Sequence, residues 1–147
     1  MQKLIRVAVD AMGGDNAPAE IVKGAVEALK ASTDLKVILV GQEEAVQQEL
    51  SKYQYDASRM EVVNATEIIE MAEPPVQAIR SKKDSSIVVA MKLVKNGEAD
   101  AFVGAGSTGA VLVGGQRIVG RLKGVERPPL APLLPTEKGA SLLIDCG

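Results

Sequence analysis

The chain has 147 residues, a formal net charge of −2 and no histidine, and it is 46% hydrophobic but only 2% aromatic. The charge gives no support for a nucleic-acid partner. The absence of histidine excludes Ser-His-Asp and Cys-His catalysis. The length predicts a single α/β domain over residues 1–147. With so few aromatic residues the core is expected to consist of Val, Ile, Leu, Ala and Met, which favours a three-layer fold, in which helices cover both faces of a mostly parallel sheet.

The first half of the chain predicts three alternations of strand and helix. Asn16 is expected to cap the first helix, with Pro18 in its first turn. Apolar residues recur at helical spacing over residues 21–29, and a polar amphipathic helix is predicted over residues 43–51. Such alternation implies parallel strands joined by right-handed crossovers. The predicted strands cover residues 4–9, 37–41 and 60–64.

A glycine turn with two carboxylates follows the first predicted strand. Asp10 and Asp15 flank Gly13 and Gly14 there. One interpretation is that Asp15 only helps to cap the next helix. Otherwise the pair could position a substrate hydroxyl, hold a basic side chain or bind a metal ion, and the spacing does not choose among these. We take Asp10 and Asp15 as the candidate catalytic residues.

A basic, hydroxyl-rich loop over residues 80–86 precedes the next predicted helix. Its Arg80 and Lys83 could form an anion clamp, because arginine offers a fork to phosphate oxygens and lysine a point charge. The alternative is an ordinary solvated surface. Asp84 or Ser85 is expected to cap the helix, and Gly97 to end it.

The central motif lies at residues 99–113, a short buried strand, a turn and an apolar helix. The turn contains Gly106, Ser107, Thr108 and Gly109. It lies at the carboxyl end of the strand, where open α/β sheets bind ligands. The first helical N–H groups lack partners inside the helix, so an anion can accept their hydrogen bonds. We therefore interpret the turn as an anion cradle, with phosphate the preferred ligand.

The same turn also matches G-x-G-x-x-G, which leaves a dinucleotide site open. That interpretation needs an acidic residue about 20 positions further on. Glu126 has this spacing but lies in a proline-containing segment beside Arg127, which is itself a candidate anion contact. A third interpretation is that the glycines serve only close packing. No G-x-x-x-x-G-K-[ST] motif is present, which excludes an NTPase P-loop.

The last part of the chain predicts a loop and a hairpin. A turn is expected at residues 136–139, between residues 130–134 and 140–144. Cys146 is expected to be a core residue rather than a nucleophile, since no histidine can activate it. As the lone cysteine it also suits a reducing, cytoplasmic setting. Residues 142–147 have the form of a strand running into a functional turn, which predicts a longer enzyme with this chain as its amino-terminal portion.

These motifs together resemble a known family. The segments at residues 10–15, 105–110, 124–132 and 145–147 are similar to those of the bacterial acyl-[acyl-carrier-protein]:phosphate acyltransferases, the PlsX family. The Asp-Ala-Met-Gly-Gly-Asp segment is the most specific of them. The resemblance covers the whole chain in order, although family members often have asparagine where Ser107 stands.

The resemblance implies a fold related to isocitrate and isopropylmalate dehydrogenases and to phosphotransacetylase. It implies that acylated acyl carrier protein and inorganic phosphate react to give acyl phosphate for phospholipid synthesis. It also implies a homodimer, peripheral membrane contact and no cofactor. Two alternatives stay open: a nicotinamide-binding half of a dehydrogenase, and a non-catalytic phosphate-binding fragment.

Overall fold

The computed structural model describes residues 4–144. Its main sheet has four strands, all parallel, in the order β3-β2-β1-β4. The predicted parallel order is therefore confirmed. The strands are β1 (Ile5–Asp10), β2 (Leu35–Gly41), β3 (Met60–Asn64) and β4 (Ala101–Val103).

Helices cover both faces of this sheet. Alternate residues of β2 point to opposite faces, as in any strand. Val37 and Leu39 pack with α1 and α2, whereas Ile38 and Val40 pack on the other face, where α4 contributes Ala90. The three-layer α/β prediction is confirmed at this level. The helices are α1 (Ala19–Ala31), α2 (Glu43–Leu50), α3 (Pro75–Ser81), α4 (Ser86–Lys95) and α5 (Thr108–Gly114).

Two short helical segments complete the regular structure of this unit. A 3₁₀ turn at Ala57–Arg59 leads into β3, and a π-helical stretch at Gly115–Val119 continues α5. Among the described residues, no helix combines the length and apolarity needed to cross a bilayer.

The helix caps differ from the prediction in their hydrogen bonds. Asn16 was expected to cap α1, but Pro18 occupies the N-cap position and makes no side-chain cap bond. Asn16 instead contributes its backbone carbonyl, which accepts from the Glu20 N–H at 3.1 Å. Ser85 does occupy the N-cap position of α4, yet its hydroxyl donates to the Lys82 carbonyl at 2.9 Å. The prediction for Asn16 is wrong, because Pro18 takes the N-cap position of α1. Ser85 takes the predicted N-cap position of α4, but without a side-chain capping bond, because its hydroxyl bonds the Lys82 carbonyl instead.

The predicted hairpin is present as a separate antiparallel pair. It consists of β5 (Leu133–Thr136) and β6 (Gly139–Leu142), with the turn where the sequence indicates it. Both strands are exposed along their whole length. The predictions made for Asp145, Cys146 and Gly147 lie outside the described residues.

Candidate functional site

The site is built where β1 and β4 lie side by side. From β1 the chain adds β2 and β3 on one side and then returns to place β4 on the other. Such a reversal is a topological switch point, and ligands of open α/β sheets bind at the carboxyl ends of strands there. The register pairs Val9 with Val103, so both strands end at the same edge. The turn at residues 11–15 and the turn at residues 104–107 therefore meet.

Asp10, the last residue of β1, lies at the centre of this meeting. Only 1% of its surface is exposed. Its Oδ1 accepts a hydrogen bond from the Met12 N–H at 3.1 Å. Burial raises the pKa of the Asp10 carboxyl, while hydrogen bonds from the Ser86 hydroxyl and from the Met12 and Gly13 N–H groups oppose the shift. The donors that hold this buried acid are thus a hydroxyl and two backbone N–H groups, all of them neutral.

The two turns touch through their glycines. A Cβ on Gly13 would lie 2.4 Å from Asp10 Oδ2 and 2.8 Å from the Gly106 nitrogen. A Cβ on Gly106 would lie 3.1 Å from the Gly13 Cα. Gly14 has a φ of 101°, a region that side chains rarely adopt. This close approach requires glycine at Gly13, and it packs the predicted cradle against the predicted carboxylate turn.

The helical side of the turn is also partly occupied by internal contacts. Ser107 is the N-cap of α5, and its hydroxyl accepts from the Ala110 N–H at 3.3 Å. Gly109 lies against α3, since a Cβ there would be 2.6 Å from Pro75 Cγ. Thr108 is exposed at the first position of α5. Ser107 and Gly109 therefore have structural roles besides the one predicted for them.

The remaining predicted site residues lie outside the contact between Asp10, Gly13 and Gly106. Asp15 is exposed on the segment before α1, and Arg80 is exposed in the last turn of α3. The Lys83 amine donates to the Ile79 carbonyl at 3.5 Å, at the carboxyl end of the same helix. Arg127 is exposed in residues 120–132. Within residues 4–144, no group of three His, Cys, Asp or Glu side chains is placed to hold a metal ion.

One contributor was missed in the sequence. Ser86, the first residue of α4, is 1% exposed and donates its hydroxyl to Asp10. The sequence grouped it with a basic loop and gave no reason to connect that loop to residue 10. The signal available in the sequence was the pair Ser85 and Ser86 at the start of the predicted helix, of which Ser86 falls on the buried face.

Comparison with known proteins adds a family to this geometry. A family model described as "Fatty acid synthesis protein" matches residues 5–147. The chain belongs to this family.

Curated relatives of this family carry the name phosphate acyltransferase. The protein of Syntrophomonas wolfei is 54% identical over 97% of the chain, and that of Thermoanaerobacter pseudethanolicus is 50% identical over 97%. These matches cover 45% and 42% of the two relatives, respectively, so the chain spans less than half of their length.

Solved structures show the same fold at low sequence identity. A phosphotransacetylase from Streptococcus pyogenes superposes with a TM-score of 0.63 at 22% identity, covering 96% of the chain and 46% of the other protein. The EutD phosphotransacetylase of Staphylococcus aureus gives a TM-score of 0.59 at 21% identity, covering 97% and 46%. At these identities the likeness concerns the fold alone.

Proposed function

We propose that the chain carries the phosphate-binding half of an acyltransferase. In the proposed reaction an oxygen of inorganic phosphate attacks the thioester carbonyl of acylated acyl carrier protein. The new C–O bond gives an acyl phosphate, the C–S bond breaks, and the carrier thiol leaves with a proton. The acyl phosphate is proposed to feed phospholipid synthesis.

The observation that carries this proposal is the contact between the two glycine turns over Asp10. It brings backbone amides and hydroxyls to the carboxyl edge of the sheet, in a chain whose relatives are named phosphate acyltransferases. Glu126, the acidic residue that a dinucleotide site would need, lies in residues 120–132 and not at the end of a strand beside β4. That location favours phosphate over a nicotinamide dinucleotide as the ligand.

The proposed chemistry suits a chain without histidine. Phosphate is already an anionic nucleophile near neutral pH, and a thiol with a pKa of about 8.5 is a good leaving group. The protein therefore needs to supply positioning and preorganised donors to the developing oxyanion, rather than a strong base.

The proposed residue roles follow from position. Asp10 organises the two turns from within, and Asp15 does so from the exposed side of the first turn. The proposed phosphate ligands are Gly13, Gly14, Gly106, Ser107, Thr108 and Gly109. Arg80, Lys83 and Arg127 are proposed as anion contacts that come into use once substrate is bound.

The wider setting is part of the same proposal. We infer one α/β domain over residues 1–147 with kinship to the isocitrate and isopropylmalate dehydrogenase fold. The proposed partners are acyl carrier protein and a second copy of the chain, in the cytoplasm with peripheral membrane contact. The shared fold of the phosphotransacetylases supports the kinship.

The test is a product assay with a dinucleotide control. The chain, and the chain extended to the length of its relatives, are each incubated with hexadecanoyl-acyl carrier protein and phosphate, and acyl phosphate is trapped with hydroxylamine. We expect phosphate-dependent product. Replacing Ser107 and Thr108 with alanine should weaken phosphate binding about tenfold or more, because hydrogen bonds to charged groups are strong. Ser81→Ala, at an exposed serine, is the control. Absence of product from both chains, or tight saturable NAD binding, would contradict the proposal.

A further inference from the structure

The buried carboxyl of Asp10 lies on the face of the sheet that α4 covers. Alternate side chains of β1 point to opposite faces, so Asp10 shares its face with Ala8. Ala90 of α4 belongs to the same apolar cluster as Ala8. Ser86 lies one helical turn before Ala90, on the same stripe of α4. The packing of α4 on β1 therefore brings the Ser86 hydroxyl to the Asp10 carboxyl.

Ser86 is a buried polar residue whose partner lies in another element. A buried hydroxyl is costly without a hydrogen bond, and Ser86 donates its hydroxyl to Asp10. The adjacent Ser85 is buried as well, but its hydroxyl donates to the Lys82 carbonyl at 2.9 Å. The two serines thus differ in what they hold: Ser85 closes a local turn, whereas Ser86 connects α4 to β1.

The start of α4 is itself fixed by bonds to the segment that follows β3. The Ser86 N–H donates to the Glu67 carbonyl at 3.2 Å, and the Glu67 N–H donates to the Asp84 carbonyl at 3.2 Å. The Asp84 carboxylate accepts from the Thr66 N–H at 3.0 Å and from the Thr66 hydroxyl at 2.6 Å. A hydrogen bond from such a supported residue fixes the orientation of the group that accepts it.

The orientation of Asp10 matters to both turns of the candidate site. Its carboxyl accepts from the Met12 N–H at 3.1 Å and from the Gly13 N–H. Its Oδ2 lies next to the contact between the turns, since a Cβ on Gly106 would be 3.5 Å from that oxygen. Rotation of the carboxyl would therefore release the N–H groups of the first turn. A carboxylate free to turn toward a bound phosphate would also repel it.

We propose that Ser86 is a positioning residue, which holds the Asp10 carboxyl in the orientation that keeps the two turns together for phosphate. The inference rests on the proposed function, because it names a residue on which that phosphate site depends. Ser86 is buried and acts through Asp10, without touching either substrate.

The first test compares two neighbouring serines. Ser86→Ala removes the hydroxyl that bonds Asp10, and Ser85→Ala is the matched control that removes an equally buried hydroxyl from the same helix start. Calorimetric titration with inorganic phosphate should show about tenfold weaker binding to Ser86→Ala, because a hydrogen bond to a charged group is lost. Binding to Ser85→Ala should be nearly unchanged. Thermal melts check that both variants fold.

A second variant covers the case in which Ser86→Ala does not fold. Ser86→Cys keeps a side chain of nearly the same size but offers only a weak S–H donor. Its phosphate affinity should fall in the same direction and by a smaller factor. Phosphate affinity equal to that of the unmodified chain would contradict the inference.

The titration of Asp10 is the readout that a merely structural role of Ser86 would leave unchanged. The donors that face this carboxyl are the Ser86 hydroxyl and the Met12 and Gly13 N–H groups, all uncharged, and α1 with its Glu20 lies on the opposite face of the sheet. Loss of the Ser86 hydroxyl should raise the pKa of Asp10 further, because that bond favours the charged form.

Carbon-13 NMR of labelled aspartate carboxyls measures this change without any substrate. The Asp10 signal is the one that disappears in Asp10→Asn. Its titration midpoint should shift to higher pH in Ser86→Ala and stay in place in Ser85→Ala.

A double substitution shows whether Ser86 acts through Asp10. In an Asp10→Asn background, Ser86→Ala should weaken phosphate binding little further, because the group that it positions is already altered. Full additivity of the two substitutions, an unchanged Asp10 midpoint in Ser86→Ala, or equal phosphate affinity of Ser86→Ala and Ser85→Ala would overturn the inference and leave the proposed function standing. If the unmodified chain binds no phosphate, the proposed function fails and the inference fails with it.

Discussion

A missing side chain at Gly13 is what allows the two halves of the site to touch. The Gly13→Ala variant should be less stable by about 1–3 kcal/mol, because its methyl group would overlap Asp10 Oδ2 and the Gly106 nitrogen and force the turns apart. Urea unfolding measures this change. Gly115→Ala is the control, since a Cβ at that helical position meets nothing within 4 Å and should leave stability equal or slightly higher. Equal stability of the two variants would contradict the close contact described above.

The buried carboxyl of Asp10 gives the stability a specific pH dependence. Burial raises the folded-state pKa above the unfolded value, so the folded chain binds this proton more tightly. The stabilisation from protonated Asp10 is complete below the unfolded pKa and is lost as pH rises through the folded pKa. Asp10→Asn should remove this component and unfold at a higher temperature near neutral pH, while acyl phosphate formation falls. Thermal melts of both proteins from pH 3 to pH 8 measure this pH dependence. If the melting temperatures of the two proteins changed with pH in the same way, the prediction would be contradicted.

At the residue scale the sequence singled out Asp10 and Gly13, which the structure brings into contact, but it did not indicate all of their partners. Asp10 and Gly13 stood out because two carboxylates bracketed a glycine pair at a strand end. Ser86 did not, since nothing local connects a helix start to a residue 76 positions earlier, and only packing of α4 on β1 brings the two together. Arg80 and Lys83 were chosen as candidate anion contacts by their charge alone. Charge does not indicate which way a side chain points in the folded chain.

At the scale of elements, the carboxyl end of α1 is held by one side chain from a turn that lies further along the chain. Arg59, in the 3₁₀ turn before β3, donates to the Leu29 carbonyl at 3.0 Å and to the Ser32 carbonyl at 2.6 Å. It also bonds Asp56. These bonds satisfy carbonyls that the last turn of a helix leaves without partners.

Arg59→Ala should therefore destabilise the chain by about 1–3 kcal/mol, since it leaves those carbonyls without their charged donor. The stability of Arg59→Lys should lie between that of the unmodified chain and that of Arg59→Ala, because one amine cannot reproduce the planar fork of the guanidinium. Chemical denaturation measures both. Lys52→Ala removes the pair that the exposed Lys52 amine makes with Glu49, and it serves as the control that should change little. If Arg59→Ala were as stable as Lys52→Ala, the bonds from Arg59 to the end of α1 would not contribute to stability.

The spacing of apolar residues was sufficient to locate most helices and strands, but it did not determine where each of them begins and ends. Strand β3 matches its prediction, and α2 ends one residue earlier than predicted. The capping details differ because a capping residue type fits several neighbouring positions, and the local backbone decides which carbonyl or amide its side chain meets. At α1 the N-cap position falls on Pro18 rather than Asn16, and at α4 the Ser85 hydroxyl meets the Lys82 carbonyl three residues earlier.

At the scale of the whole molecule, the sheet unit and the hairpin should differ sharply in local stability. β1 and β2 are paired on both sides and buried between helices. In the hairpin, Leu133 is 69% and Leu142 57% exposed, and an isolated two-stranded ribbon is marginal in water.

Hydrogen exchange should consequently protect amides of β1 and β2 up to the global unfolding free energy, while amides of β5 and β6 exchange by local opening. A matched internal reference is α2, a short helix that packs on the sheet. Comparable protection in the hairpin and in β2 would contradict this expectation and would show that the ribbon is covered in solution.

The strand order also sets when the site comes into being during synthesis. Arg6 pairs with Asp100 across 94 positions of sequence, whereas β1 and β2 are separated by one helix. On the ribosome, β1 can pair with β2 once α1 and β2 have emerged, and its other edge then waits for β4, which follows β3, α3 and α4. Ser86 of α4 becomes available to Asp10 before the Gly106 turn does, and that turn then completes the contact. The nascent protein therefore forms its first strand pair early and its candidate site only after β4 has been made.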